Sequence, residues 1–228
     1  MAEVTGAFDL RSVSLRQVNA ALHAPDLTGE FTIAHPDGAH NVAVGLDAPV
    51  RVTIDGHVGY YAAGMNQQAD IVIAGNAGTG VAENMMSGTV WVKGNASQSA
   101  GATAHGGLLV IEGNAAARCG ISMKGVDIVV GGDVGHMSAF MAQRGALVVC
   151  GDAGDALGDS LYEARLYVRG AVAGLGADCI AKEMRDEHLT QLRELLAAAD
   201  VDADPSEFTR YGSARQLYNF NIDNVGVY

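Results

Sequence analysis

Asp133 and Asp152 stand 19 residues apart, each directly behind a glycine; His57, Asn76, Asn95, Asn114 and Ala171 occupy the same place at the same spacing. Two carboxylates one strand spacing apart can raise a pKa or attract a cation, although a solvated turn pair is the expectation. Three asparagines in consecutive turns are expected to stack as an amide ladder, each side chain bonding the next. Of the histidines, His57, His105 and His136 fall at different phases, so no line of imidazoles forms. Cys119, Cys150 and Cys179 are odd in number, widely spaced and free of any C-x-x-C pair, which predicts buried free thiols rather than a disulfide framework or a metal site. There is no Gly-x-Ser-x-Gly elbow and no Cys with a local His partner. Met85-Met86 and Met137 with Met141 read as core filling. These residues define no catalytic, cofactor or metal site, and the expectation is a scaffold.

What must position them is a repeat. Gly56, Gly75, Gly94, Gly113, Gly132, Gly151 and Gly170 follow one another at intervals of 19 without insertion. Two places before each stands a β-branched residue, from Ile54 to Val168, and four places before an aliphatic one, from Val52 to Leu166. Seven places after come Ala63, Ala82, Gly101, Gly120, Ala139, Gly158 and Ala177. Alternating aliphatic residues closed by glycine describe a short strand with one buried face. A unit this small buries that face only by stacking on its neighbours. The fold class is therefore all-β: a right-handed parallel β-helix of seven coils, roughly 30 Å tall at about 4.8 Å per coil. The small residue seven places after each glycine is expected to face inward where the coil turns.

Other glycine-rich readings fit less well. A left-handed hexapeptide helix needs a period divisible by six, and a calcium-binding nonapeptide helix needs a recurring Asp. A dinucleotide site needs one glycine-rich turn opening a helix, whereas Gly131-Gly132-Asp133-Val134-Gly135 belongs to a series repeated seven times.

Composition suits narrow coils: 49% hydrophobic residues, only 6% aromatic, and 30 glycines in 228 residues. A net charge of −12 argues against a nucleic-acid partner, which would require clustered Lys and Arg. No stretch is apolar enough to span a membrane. Met1 to Leu10 lacks the basic region and apolar core of a secretory signal, so a cytoplasmic location is expected.

Residues 1–49 lie outside the strict period and read as an N-terminal α/β cap. Ser14 caps a short helix from Leu15 to His23, and Glu30–Ile33 and Asn41–Leu46 read as strands around a His35-Pro36-Asp37-Gly38 turn. Residues 50–179 form the β-helix domain. Residues 180–228 read as a helix over Ile180 to Asp200, a break at Asp204-Pro205, and an extended tail. Such flanks cover the open strand edges of a solenoid. Phe208, Tyr211, Tyr218, Phe220 and Tyr228 are five of the thirteen aromatics. A disordered tail should be poor in aromatics, so Phe208, Tyr211, Tyr218 and Phe220 are candidates for packing on the column or docking on a partner.

The unit Gly151-Asp152-Ala153-Gly154-Asp155-Ala156-Leu157-Gly158 has the form Gly-x-x-Gly-x-x-x-Gly, with reduced forms at Gly56/Gly59, Gly75/Gly78 and Gly132/Gly135. Together with the 19-residue rhythm, this resembles the C-terminal β-helix of the glutamate synthase large subunit across roughly residues 40–180. Departures such as Ser97 and Ala116 replace glycine with other small residues. The stand-alone layout is similar to the β-helix subunit of the N-methylglutamate synthase family. That resemblance implies a class II glutamine-amidotransferase-like partner and an FMN-binding glutamate-synthase-like partner. It also implies joining of methylamine to glutamate, giving N-methylglutamate and ammonia. In the family the nucleophilic Cys, the FMN and the iron–sulfur cluster belong to the partners, so no catalytic or cofactor residue carries over. The alternative is the β-helix subunit of formylmethanofuran dehydrogenase, which has a similar column, and a self-assembling β-helical structural protein is a third reading.

Overall fold

An aliphatic residue at every second position before each recurring glycine produces the expected strands. The computed structural model describes residues 5–217. In chain order the elements are β1 (Thr5–Asp9), α1 (Leu15–Leu22), β2 (Gly29–Ala34), β3 (Val50–Asp55), β4 (Asp70–Ile73), β5 (Thr89–Val92) and β6 (Leu108–Ile111). There follow β7 (Lys124–Val130), β8 (Arg144–Val149), β9 (Arg165–Val168), β10 (Cys179–Lys182), α2 (Asp186–Ala198) and β11 (Thr209–Ser213). They form one sheet in the order β1 to β9, then β11, then β10. From β3 to β6 the pairing is parallel at a constant offset of 19, as in Ile54↔Ile73 and Val92↔Ile111. The solenoid expectation is met.

Each coil has two further sides. Two places after the glycine, Val58, Ala77, Ala96, Ala115, Val134, Ala153 and Val172 form a second parallel ladder of single bridges. The third side is a turn with every second residue left-handed. Tyr61, Ala63 and Met65 have φ of 58°, 55° and 55°, and the pattern recurs at Met137, Ala139 and Met141 with 55°, 58° and 53°. Alternation reverses the direction of successive N–H groups. Ala139 N–H donates back to Cys119 O at 2.7 Å, while Met141 N–H donates forward to Asp159 O at 2.8 Å. The turn is thus hydrogen-bonded to both neighbouring coils. The small residue at its centre faces inward in six of the seven coils, with Ala63, Ala82 and Ala139 fully buried; in the last coil Ala177 is exposed and outside the left-handed region, contrary to expectation. In the other six it is also held at positive φ, which penalises any large or β-branched side chain.

Three expectations for the flanks change. Asn41–Leu46 is not a strand but the first of these turns, with Asn41, Ala43 and Gly45 all at positive φ. The alternating apolar residues Val42 and Leu46 are buried from the turn instead. β1 and β2 continue the parallel ladder downward, Phe31 pairing with Val52 and Gly6 with Phe31, so the N-terminal segment adds rungs as well as a helix. The expected helix from Ile180 begins only at Asp186, because Cys179–Lys182 is captured as a strand by β11.

Both ends have identifiable closures. α1, with Ser14 and Gln17 in a reciprocal capping box, lays Val18 and Leu22 into the core. Its Asn19 replaces the missing lower coil: Ala43 N–H donates to Asn19 Oδ1 at 3.1 Å, and Asn19 Nδ2 donates to Asn41 O at 2.8 Å. At the other end β11 pairs antiparallel with β9. α2 covers the outer sheet face there, packing Leu192, Leu195 and Leu196 with Val129, Val148 and Tyr167 in a second apolar cluster.

Candidate functional site

The residues singled out for chemistry converge on one edge of the column, where they build structure. Five of the seven recurring glycines donate their N–H to the glycine of the coil below, from Gly94 to Gly75 at 3.1 Å up to Gly170 to Gly151 at 2.9 Å. The next residue's N–H would then lack a backbone acceptor below, because the corner turns the carbonyls away. A side chain supplies it. Asn76 N–H donates to His57 Nδ1 at 2.8 Å, and Asn95 to Asn76 Oδ1, Asn114 to Asn95 Oδ1, Asp133 to Asn114 Oδ1 and Asp152 to Asp133 Oδ1 likewise, each at 2.8 Å. Ala171 N–H closes the series on Asp152 Oδ1 at 2.7 Å. The amide ladder expected from the sequence is therefore corrected: each side chain bonds the backbone of the next coil, not the next side chain. Imidazole, amide and carboxylate are interchangeable because the position asks only for an acceptor.

The same geometry explains the glycines. A Cβ on Gly94, Gly113 or Gly132 would collide with the acceptor side chain below, and one on Gly75 would lie 2.7 Å from Gly56 C and His57 Nδ1. At Gly151 and Gly170 the obstacles are Asp133 and Asp152. Six of the seven turn glycines are thus required by close approach, and only Gly56 has a positive φ, at 143°.

Asp133 and Asp152 do stand on adjacent coils, each committed to a backbone N–H. Among the described residues no group of three or more His, Cys, Asp or Glu side chains is disposed to hold a metal ion. Cys119, Cys150 and Cys179 are free and buried. Burial pushes the Cys119 thiol up to about 12, and burial with Asp178 and Asp159 does the same for Cys179. These thiols are protonated and unreactive at neutral pH.

The candidate docking aromatics divide. Phe208 is 5% exposed, inside the cluster beneath α2. Tyr211 is half-buried against the inner core from β11. Both pack on this chain's own column. Tyr218 and Phe220 lie outside the described residues. Exposed aromatics occur instead on the left-handed turns: Tyr60 and Tyr61 are 52% and 46% exposed, and Tyr60 stacks on His40 with centroids 4.5 Å apart. Sequence reasoning passes over the alternating left-handed residues, because Tyr, Met, Arg and Thr all occupy them and leave no compositional signal. Among the described residues no helix is long and apolar enough to cross a membrane.

Parallel rungs, a glycine corner and an acceptor column define a β-solenoid protein whose polar repeat residues serve its own stacking. No protein-family model matches the chain. Protein GlxC of Rhizobium meliloti (strain 1021) is 64% identical, covering 96% of this chain and 98% of the relative. The chain belongs to the GlxC family.

Proposed function

We propose that this chain is a scaffold subunit, without catalytic residues of its own, of a glutamate-synthase-like complex, and that the complex is an N-methylglutamate synthase. One observation carries the reading. The residue types suited to chemistry, from His57 through Asp152, are spent on holding coil to coil along an uninterrupted column. The Gly-x-x-Gly-x-x-x-Gly unit and the 19-residue rhythm support the glutamate synthase relationship.

A column of stacked coils hydrogen-bonded on all three sides loses little further entropy on binding and keeps a fixed length. Nine parallel rungs at about 4.8 Å each give a ruler of roughly 40 Å. Such a ruler would hold an amidotransferase-like and an FMN-binding synthase subunit at a set separation. It would also help wall the passage of ammonia or methylamine between their active sites. The chain would bind neither FMN nor an iron–sulfur cluster by itself.

The test is affinity capture of the native complex, with mass spectrometry of co-purifying chains and an absorbance scan for flavin. Recovery of both partners with flavin absorbance is the expected result. Capture of molybdenum- or tungsten-containing partners, or turnover of an amine by the isolated chain, overturns the reading.

A further inference from the structure

The outer face of the last three strands carries an arrangement that the column does not need. Lys182 and Arg210 are directly opposed across the antiparallel β10–β11 pair, and Arg210 is in turn opposite Tyr167 of β9. Arg165 lies two residues before Tyr167 and so on the same face. Like charges directly opposite in a sheet destabilise it. Yet a chain of net charge −12, with only 14 Lys and Arg, brings three cations together here.

The neighbouring carboxylates do not neutralise them. Glu163 and Glu183 line the same hollow but accept from Arg215 at 3.0 Å and pair with Arg185 at 3.1 Å; Glu187, also on its rim, lies 3.4 Å from His188, whose burial favours the neutral ring. Among the described residues no carboxylate is within ion-pair distance of Arg165, Lys182 or Arg210. Neutral acceptors hold the two guanidinium groups: Arg165 donates to Gln191 Oε1 at 2.8 Å and Arg210 Nε to Glu183 O at 2.9 Å. They are oriented without being discharged. Burial, with Arg165 and Arg185 nearby, weakens the hold of Arg210 on its proton, against the opposing pull of Tyr167 and Glu187.

Between the three cations the sheet has no side chain. Gly212 sits on this face, paired with Ile180, and a hollow of about 340 Å³ opens over it, bounded on one side by the first turn of α2. A Cβ placed on Gly212 would lie 3.5 Å from Lys182 Cγ and 3.8 Å from Arg210 Nη1. The two cations lean over the gap that the glycine leaves.

We propose that this hollow binds a small dianion of the carboxylate or phosphate type, with Arg165, Arg210 and Lys182 as its ligands. Guanidinium forks match the paired oxygens of both groups, and an ammonium adds a point charge. The volume is at the lower end of the range for small-molecule sites. Bound anion would remove the repulsion across β10–β11 and lock the strand pair that closes the upper end of the column. The site is independent of the complex proposed above.

Isothermal titration of the full chain with inorganic phosphate and with glutarate, against chloride at matched ionic strength, tests it. At least one probe is expected to bind saturably with Kd on the order of 1 mM or tighter and to raise the melting temperature. Which probe binds tells phosphate from dicarboxylate. Arg165→Gln and Arg210→Gln should each weaken binding about tenfold or more, while Arg51→Gln, remote on β3, should leave it unchanged. Gly212→Leu keeps all three cations but fills the hollow, and with an unchanged circular dichroism spectrum it should abolish binding; it decides the matter if the arginine variants fail to fold. Binding of neither probe beyond matched chloride overturns the proposal, as does binding that persists in Gly212→Leu or in the double arginine variant.

Discussion

The backbone N–H of Asn114 donates to the side-chain oxygen of Asn95, one coil below, at 2.8 Å. That bond recurs from His57 to Ala171 and joins the two most regular features of the chain, the glycine and the residue behind it. The glycine must lack a side chain because the acceptor from below occupies its space.

Removing an acceptor should therefore cost more than removing amide chemistry. Asn95→Ala leaves the Asn114 N–H without its partner and should destabilise the chain by about 1 kcal/mol. Asn95→Asp should stay within about 0.5 kcal/mol of the parent, since Asp133 and Asp152 already do this work. Urea denaturation followed by circular dichroism checks both, and equal midpoints for the two variants would contradict the acceptor role.

Glycines at two phases should respond differently to alanine. Gly113→Ala drives a methyl into the Asn95 side chain and should cost about 1–3 kcal/mol. Gly120→Ala places its methyl 3.3 Å from Ile128 Cδ1 and Met123 Sδ, both flexible tips, at a φ of 68°. Ala63, Ala82 and Ala139 occupy that same phase at φ between 55° and 58°. Gly120→Ala should cost about 1 kcal/mol, the low end of the left-handed penalty. Thermal melts of the pair give the ranking.

Two truncations separate docking from folding. Phe208 is buried under α2, and β11 covers the edge of β9. Deleting residues 208–228 should lower the melting temperature, and Phe208→Ala alone should cost about 3 kcal/mol. Deleting only residues 218–228 should reduce recovery of partner subunits in a pull-down. Unchanged recovery would remove Tyr218 and Phe220 from the docking surface.

Asp178 carries a pH dependence of definite sign. Its carboxylate accepts from Ser213 Oγ at 2.5 Å and from Gln216 N–H at 3.0 Å, tying the end of β11 to the last coil. The Ser213 hydroxyl, followed by backbone N–H groups, holds its pKa below the ordinary aspartate value. A depressed folded pKa stabilises above the unfolded value, and the contribution is lost as pH falls through the folded one. The parent should be more stable than Asp178→Asn at pH 5 to 7, and the two should converge below about pH 3. A constant difference down to that pH would show that the carboxylate charge is not involved.

Alkylation should distinguish the buried thiols from reactive ones. With Cys119 and Cys179 raised to about 12, all three cysteines should resist iodoacetamide at pH 8 in the folded chain and react after denaturation. Mass spectrometry counts the adducts. A fast native adduct on Cys119 would contradict its burial.

The repeat of glycine, β-branched and small residues was enough by itself to determine a parallel solenoid of 19-residue coils, because period-2 burial and a fixed repeat leave short strands no other way to bury one face. Only the tertiary structure decided what the polar residues do. The acceptor behind each glycine serves a backbone N–H in another coil, a relation that no local window contains. Asn41–Leu46 and Ile180–Lys182 depart from their local sequence pattern for the same reason. Left-handed alternation in one case and capture by β11 in the other are set by neighbouring coils and strands, which override local propensity. Arg165, Lys182 and Arg210 are 45 residues apart from first to last, and only the antiparallel return of β11 between β9 and β10 places their charges around one glycine.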